Sequence, residues 1–194
     1  VNRYGVRKGD RVAIAMRNYP EWIMTYVGAL AAGAIVVSMN AWWTAEELDY
    51  GLEDSGTTVL VADAERVART RESAARLGIR TIGVRLGDGD TPEGVDRWED
   101  VVEPGATYER PELGPDDDAT ILYTSGTTGH PKGAVSTHRA VVQALMGFGC
   151  KSAIDSLRRP EEASGRTGAP VFILIVPLFH VTGNVPVMLG AMAS

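Results

Sequence analysis

The stretch Thr124–Gly133, TSGTTGHPKG, places four hydroxyl side chains, three glycines and a lysine within ten positions. These residue types suit an anion. Glycines let successive backbone N–H groups converge on an oxygen without obstruction from a Cβ. Thr124, Ser125, Thr127 and Thr128 add hydroxyl donors, and Lys132 supplies positive charge. Phosphate is therefore the ligand chemistry to test. Two common phosphate loops fail on spacing. Counted from Gly126, the loop G-x-x-x-x-G-K-[ST] needs a second glycine at position 131 and Ser or Thr after the lysine. The sequence has Pro131 and Gly133 there. Gly126, Gly129 and Gly133 also miss the G-x-G-x-x-G spacing of dinucleotide loops.

A second candidate is His180. It follows VFILIVPLF (Val171–Phe179), which reads as the most strongly buried strand of the chain. That puts His180 at the carboxyl end of a strand, where open α/β sheets bind ligands. His130 and His138 are weaker candidates. Cys150, the only cysteine, follows a Gly-rich helix end with no Cys or His cluster around it and reads as a small buried or half-buried thiol. It allows no internal disulfide, which fits a reducing compartment. The acidic run Asp116–Asp118 reads as a solvated strand entry in preference to a metal site. Trp22, Trp42, Trp43 and Tyr123 read as packing residues.

The elements that must carry these side chains alternate between strand and helix. RVAIAM (Arg11–Met16) is a short apolar strand after the turn RKGD. Tyr19, Trp22, Ile23, Tyr26, Val27 and Leu30 then fall on one helical face, with Asn18 as a cap, Pro20 in the first turn and Gly33 as the stop. AIVVSM (Ala34–Met39) reads as a buried strand. TAEE (Thr44–Glu47) is a capping-box pattern opening a helix that ends near Asp54 or Gly56. TTVLVAD is a strand, and AERVARTRESAARLG a charged helix with Glu65–Arg69 and Glu72–Arg76 pairs at i,i+4. IRTIGV is another strand. Residues of about 86–118 are rich in Gly, Pro and Asp around DRWEDVV and read as a surface connection. ATILYT (Ala119–Thr124) is the strand entering the phosphate loop, and Ser136 or Thr137 can cap a helix HRAVVQALMGF. KSAIDSLRRPEEASGRTGAP reads as polar and exposed, and a final apolar helix follows His180. Such alternation predicts an α/β fold, a mostly parallel sheet with flanking helices.

Composition narrows the function. With 194 residues the chain suits one to two ordinary domains. A net charge of −6, from 25 acidic against 19 basic residues, argues against a general nucleic-acid binder. The uncharged run of residues 22–45 is long enough for a membrane span, but its pattern changes from helical to extended midway, which predicts a helix packed on a strand. No basic-then-apolar signal peptide starts the chain.

The loop as a whole resembles the phosphate loop of the adenylate-forming superfamily, [ST]-[ST]-G-T-T-G-x-P-K-G, which Thr124–Gly133 matches throughout. His130 occupies its variable position. Two further stretches agree. GVRKGDRVAIAMRNYPEWIMTYVGALAAGAIVVSMN is similar to the family's amino-terminal strand–helix–strand, with Ser38 standing where relatives carry the proline of Pro-x-Asn. VPLFHVTG (Val176–Gly183) resembles the acyl-CoA synthetase form of the next motif. The resemblance covers nearly the whole chain and implies the amino-terminal part of a large adenylate-forming domain, with the rest of that domain and a carboxy-terminal lid domain beyond residue 194. It implies ATP-dependent activation of a carboxylic acid, fatty acids foremost, to an acyl-adenylate and then to acyl-CoA, with ATP, Mg2+ and coenzyme A as cofactors or co-substrates. Thr124, Ser125, Gly126, Thr127, Thr128, Gly129 and Lys132 would hold the phosphates. Lys132 and Thr128 would act in catalysis, Thr124 is the candidate magnesium contact, and His180 would line the acyl pocket near the carboxylate. The segment alone is expected to be inactive, because the adenine, ribose and lid residues of the family lie further along. The implied setting is cytoplasmic with no transmembrane segment; peripheral membrane contact and oligomeric state stay open. An aryl-CoA ligase, an acyl-AMP ligase loading a carrier protein, a luciferase-like monooxygenase and a degenerate non-catalytic paralogue share the fold. A P-loop NTPase or kinase is the rival of another class.

Overall fold

The computed structural model describes residues 1–124, 129–160 and 171–193. Its elements run β1 (Arg11–Ala15), α1 (Pro20–Ala31), β2 (Ile35–Ser38), α2 (Ala45–Asp54), β3 (Val59–Asp63), α3 (Ala64–Leu77), β4 (Arg80–Val84), β5 (Val95–Arg97), α4 (Trp98–Val101), β6 (Asp118–Thr124), β7 (Lys132–Thr137) and α5 (His138–Arg158). A π-helical segment, Gly183–Leu189, and a short helix α6, Gly190–Met192, follow. Among the described residues the strands form one seven-stranded sheet, ordered β5-β4-β3-β1-β2-β6-β7. Every pairing is parallel except β6 with β7. The α/β, mostly parallel architecture read from the sequence is the observed one.

Each face of the sheet has its own core because strand side chains alternate. Val12 and Ile14 of β1 pack with Trp22, Tyr26 and Ala29 of α1, while Ala13 and Ala15 face Leu48 and Leu52 of α2 and Val67 and Ala74 of α3. The chain steps one way from β1 to β2 and the other way to β3, so right-handed crossovers put α1 on one face and α2 and α3 on the other. Trp22 and Tyr26 stack at 5.1 Å inside the first core.

Local signals mostly hold. The capping box at Thr44 is complete: its hydroxyl accepts from Glu47 N and Glu47 Oε2 accepts from Thr44 N at 2.8 Å. Thr44→Ala removes one of these bonds and loosens the other; a loss of about 1 kcal/mol is expected in denaturant unfolding, and an unchanged midpoint would show the box contributes nothing. Gly33 follows α1 at φ 77°, and a Cβ there would approach Pro111 Cγ to 2.9 Å, so both backbone and packing require glycine.

Other local readings are corrected. Asn18 does not cap α1; the cap residue is Tyr19, without a side-chain bond. Glu65 pairs with Arg69 as expected, but Arg76 turns from Glu72 to Asp49 and Glu53 of α2, where two carboxylates offer more than one. The connection of about 86–118 contributes the edge strand β5 and the short helix α4. The helix after the loop runs beyond HRAVVQALMGF to Arg158, into the segment read as polar and exposed, which is exposed as far as it is described. It buries none of its residues, so Cys150 on it is exposed, not buried. Asp116 binds Arg139 through two hydrogen bonds, and Asp117 pairs with Lys8. Among the described residues no helix is long and apolar enough to cross a membrane.

The largest correction concerns Val171–Phe179. Val171–Ile175 form no strand, and Val171, Ile173 and Ile175 are exposed. A strand exists through its ladder partners. Both edges of β6 are taken, by β2 and β7, and no partner for this segment exists among the described residues. Leu178 is buried in the core, and Leu174 packs partly against it.

Candidate active site

The two ends of the Thr124–Gly133 stretch belong to a β-hairpin. Thr124 of β6 pairs with Lys132 of β7, and Tyr123 with Gly133. The sequence reading led from loop straight into helix. Instead β7 intervenes, and α5 begins at His138, capped by Thr137 Oγ1 accepting from Ala140 N. The stretch after β6 is therefore followed by a strand, and no helix N-terminus stands at its end. Gly133 is required by close packing: a Cβ there would lie 2.9 Å from Ile121 Cγ2. Gly129 has φ 105°, a backbone shape glycine adopts readily. Ser125, Gly126, Thr127 and Thr128 lie outside the described residues.

A cavity of about 570 Å3 opens at the carboxyl ends of β2 and β6. Thr124, Gly129 and Pro131 line one side, Phe179 and His180 another, and Ser38 and Asn40 the end of β2. The structure thus brings three predicted residues, Thr124, Gly129 and His180, to one cavity. Lys132 is exposed across the hairpin ladder from Thr124 and does not line it. His130, read as incidental, stacks on Tyr50 of α2 at 4.7 Å, so it ties the loop to that helix.

His180 does not end a strand, but it still reaches the strand ends because its turn is fixed from several sides. Asn18 Nδ2 donates to Val176 O at 3.0 Å and Asn18 Oδ1 accepts from Leu178 N at 2.8 Å. The loop after β1 therefore grips the segment just before His180. His180 N donates to Pro177 O, and Thr182 N donates to His180 Nδ1 at 3.3 Å. That bond occupies Nδ1 and leaves Nε2 as the ring nitrogen open to a ligand. Gly183 packs so tightly that a Cβ would fall 2.2 Å from Pro177 O.

The opposite wall is the loop after β2. Trp43 is buried and meets Tyr123 edge-on, while Trp42 is exposed and meets Phe179 edge-on at 5.1 Å. The packing roles read for Trp22, Trp43 and Tyr123 hold. Tyr123 Oη also donates to Asp54 Oδ2 at 2.6 Å; burial first, and then Asp54, push its hydroxyl well above the usual phenol range. This wall is clamped by Arg66 of α3. Its Nε donates to Ala41 O at 2.7 Å, its Nη2 bonds the same oxygen, and its Nη1 pairs with Asp63 and Glu65. Arg69 Nη1 donates to Trp43 O at 2.8 Å. Sequence patterning missed this clamp, since Arg66 looks like any charged residue of a surface helix. Among the described residues no group of three His, Cys, Asp or Glu could hold a metal.

The β6–β7 hairpin and His180 thus line one cavity at the carboxyl edge of a mostly parallel sheet in an α/β domain. Residues 2–194 match the AMP-binding enzyme family, and the chain belongs to it. It is 33% identical to the long-chain-fatty-acid–CoA ligase FadD13 of Mycobacterium tuberculosis, over 97% of this chain and 34% of that protein. It is 30% identical to 4-coumarate–CoA ligase 3 of Oryza sativa, over 100% of this chain and 33% of the relative. The chain thus spans about a third of the length of these relatives. Among solved structures, ATP-bound MatB of Rhodopseudomonas palustris superposes with a TM-score of 0.71 at 29% identity, covering 94% of this chain and 33% of that one. The anthranilate CoA ligase AuaEII with anthranoyl-AMP gives 0.66 at 28% identity, covering 73% and 27%.

Proposed function

We propose that this chain is the phosphate-binding part of an acyl-CoA synthetase acting on carboxylic acids, fatty acids foremost. The observation that carries the reading is the single cavity shared by the Thr124–Gly133 hairpin and His180. Two half-reactions follow. A substrate carboxylate oxygen attacks the α-phosphorus of Mg-ATP, the bond to the bridging oxygen breaks, and pyrophosphate leaves with the electron pair. The thiolate of coenzyme A then attacks the acyl carbon of the adenylate and AMP departs.

Charge grows on the leaving pyrophosphate, so fixed donors aimed at it lower the barrier. That role falls to the hydroxyls and N–H groups of Thr124, Ser125, Gly126, Thr127, Thr128 and Gly129 and to the ammonium of Lys132. Hydroxyl oxygen is a hard donor that suits Mg2+, and Thr124 at the cavity edge fits as a contact for the metal that arrives with ATP. His180 offers Nε2–H to the substrate carboxylate. It is not a general base, since that carboxylate arrives ionised at neutral pH. The proposed setting is cytoplasmic.

Acid-dependent exchange of pyrophosphate into ATP tests the reading. The full-length protein is expected to show exchange with a fatty acid and thioester formation once coenzyme A is added. The 194-residue segment alone is expected to show neither. Aryl acids outperforming fatty acids would move the assignment to the aryl-CoA branch, and ATP hydrolysis without any acid would favour a P-loop NTPase or kinase.

A further inference from the structure

Behind the His180 turn lies a buried polar cluster that neither half-reaction uses. Asn184 follows His180 by four residues, and its N–H donates to the His180 carbonyl at 3.0 Å. Its side chain is 0% exposed, and neither Oδ1 nor Nδ2 has a hydrogen-bond partner among the described residues. The hydroxyls of Tyr26 on α1 and Ser38 at the end of β2 are buried and unpartnered too. Thr120 Oγ1 of β6 already donates to Val36 O.

These groups lie on the same side of the sheet. Ser38 lies in register with Ile14 of β1 and Leu122 of β6, so it faces the α1 side of the sheet, where Tyr26 is packed. Tyr26 lies beside Thr120 and Asn184: burial pushes its hydroxyl's pKa upward, and those two side chains partly counter the push without reaching hydrogen-bond geometry. Ser38 and His180 both line the cavity above. The helical segment carrying Asn184 is π-helical with Pro186 inside it, an irregularity that concentrates at functional sites.

An unpaired buried polar atom is costly, and native structures hold few of them. Phe, Leu and Ala would fill similar space at no such cost. The three side chains are chemically complementary: the amide donates and accepts, and so does each hydroxyl. Small rotations, or an enclosed water, can therefore join them into one connected set.

We propose that Asn184 is a positioning residue for His180, coupled through the hydroxyls of Tyr26 and Ser38 to α1 and β2, so that the sheet sets where His180 meets the substrate carboxylate. The inference rests on the reading of His180 as a carboxylate contact.

The test is steady-state kinetics on the full-length enzyme with Asn184→Leu, Tyr26→Phe, Ser38→Ala and the Asn184→Leu/Tyr26→Phe double variant. Each single change is expected to raise KM for the carboxylic acid about three- to tenfold, the effect of one lost hydrogen bond, with KM for ATP within about twofold. The double variant should fall short of the product of the single effects, as for residues in one network. A purely structural role would lower thermal stability while leaving the acid KM alone or moving both KM values together, and either result overturns the proposal. Should Asn184→Leu fail to fold, Tyr26→Phe and Ser38→Ala, which each remove one oxygen, decide on the same readout. His180→Ala separates the two levels. An unchanged acid KM there defeats the reading of His180 and this inference with it. A raised acid KM beside unaffected Tyr26→Phe and Ser38→Ala variants defeats this inference alone.

Discussion

Lys132→Ala in the full-length enzyme is expected to slow acyl-adenylate formation about 10²- to 10³-fold, the usual effect of removing one preorganised donor from developing charge. Thiolysis of the preformed adenylate should stay within about threefold, because pyrophosphate has already left by then. The structure separates this effect from unfolding. Lys132 is exposed at the first position of β7 and has no salt bridge among the described residues. A surface substitution of that kind ordinarily changes stability by no more than about 0.5 kcal/mol. Lys132→Arg should recover part of the rate, since it restores charge in a different donor geometry. Rapid-quench measurement of each half-reaction checks the expectation. Equal loss in both steps would mean that Lys132 acts in the binding of something common to them, and the assigned role would fall.

Part of the cavity's lining, Thr124 and Gly129, could be read from the sequence because its determinants are local. The hydroxyls, glycines and Pro-Lys-Gly of Thr124–Gly133 are adjacent in the chain, and so are Thr44 and Glu47 of the capping box. The three-residue offset that satisfies a helix end is written in sequence. What escaped depends on partners distant in the chain. Lys132–Thr137 becomes a strand only by pairing with β6, and nothing in KGAVST announces that partner. Asn18 has the right chemistry for a cap one residue away, yet it binds Val176 and Leu178 about 160 positions on. Val171–Ile175 shows the converse. Hydropathy alone reads the run as buried, whereas burial needs a surface to cover it, and among the described residues only Leu174 finds part of one. His180 illustrates a conclusion that survived a failed premise: the strand expected before it is absent, but the Asn18 clamp and the tight turn at Gly183 bring it to the strand ends all the same.

Arg66 poses the sharpest stability question, since its guanidinium side chain is only 2% exposed, on the α2–α3 side of the fold. Its charge is matched by Asp63, itself 4% exposed, and its donors close on the Ala41 carbonyl. Asp63 is engaged elsewhere as well, accepting from Arg17 N and from Arg66 N at the start of α3. Arg66→Met leaves Asp63 buried without its cation and Ala41 O without its donors, so a loss of about 3–5 kcal/mol is expected. The apolar double variant Arg66→Met/Asp63→Leu removes the orphaned charge, and replacing a whole buried pair in this way is often neutral. Here recovery should be only partial, because the buried Ala41 O and the buried N–H of residue 66 would still lack partners, each worth about 1–3 kcal/mol when buried and unpaired. The loop after β2, with Trp42 against Phe179, should also loosen, so the acid's KM should rise in the single variant beyond what stability alone explains. Denaturant unfolding of wild type, single and double variants measures the first effect. A loss below about 1 kcal/mol in Arg66→Met would show that the pair's desolvation cancels its attraction and that the site wall is held by packing alone.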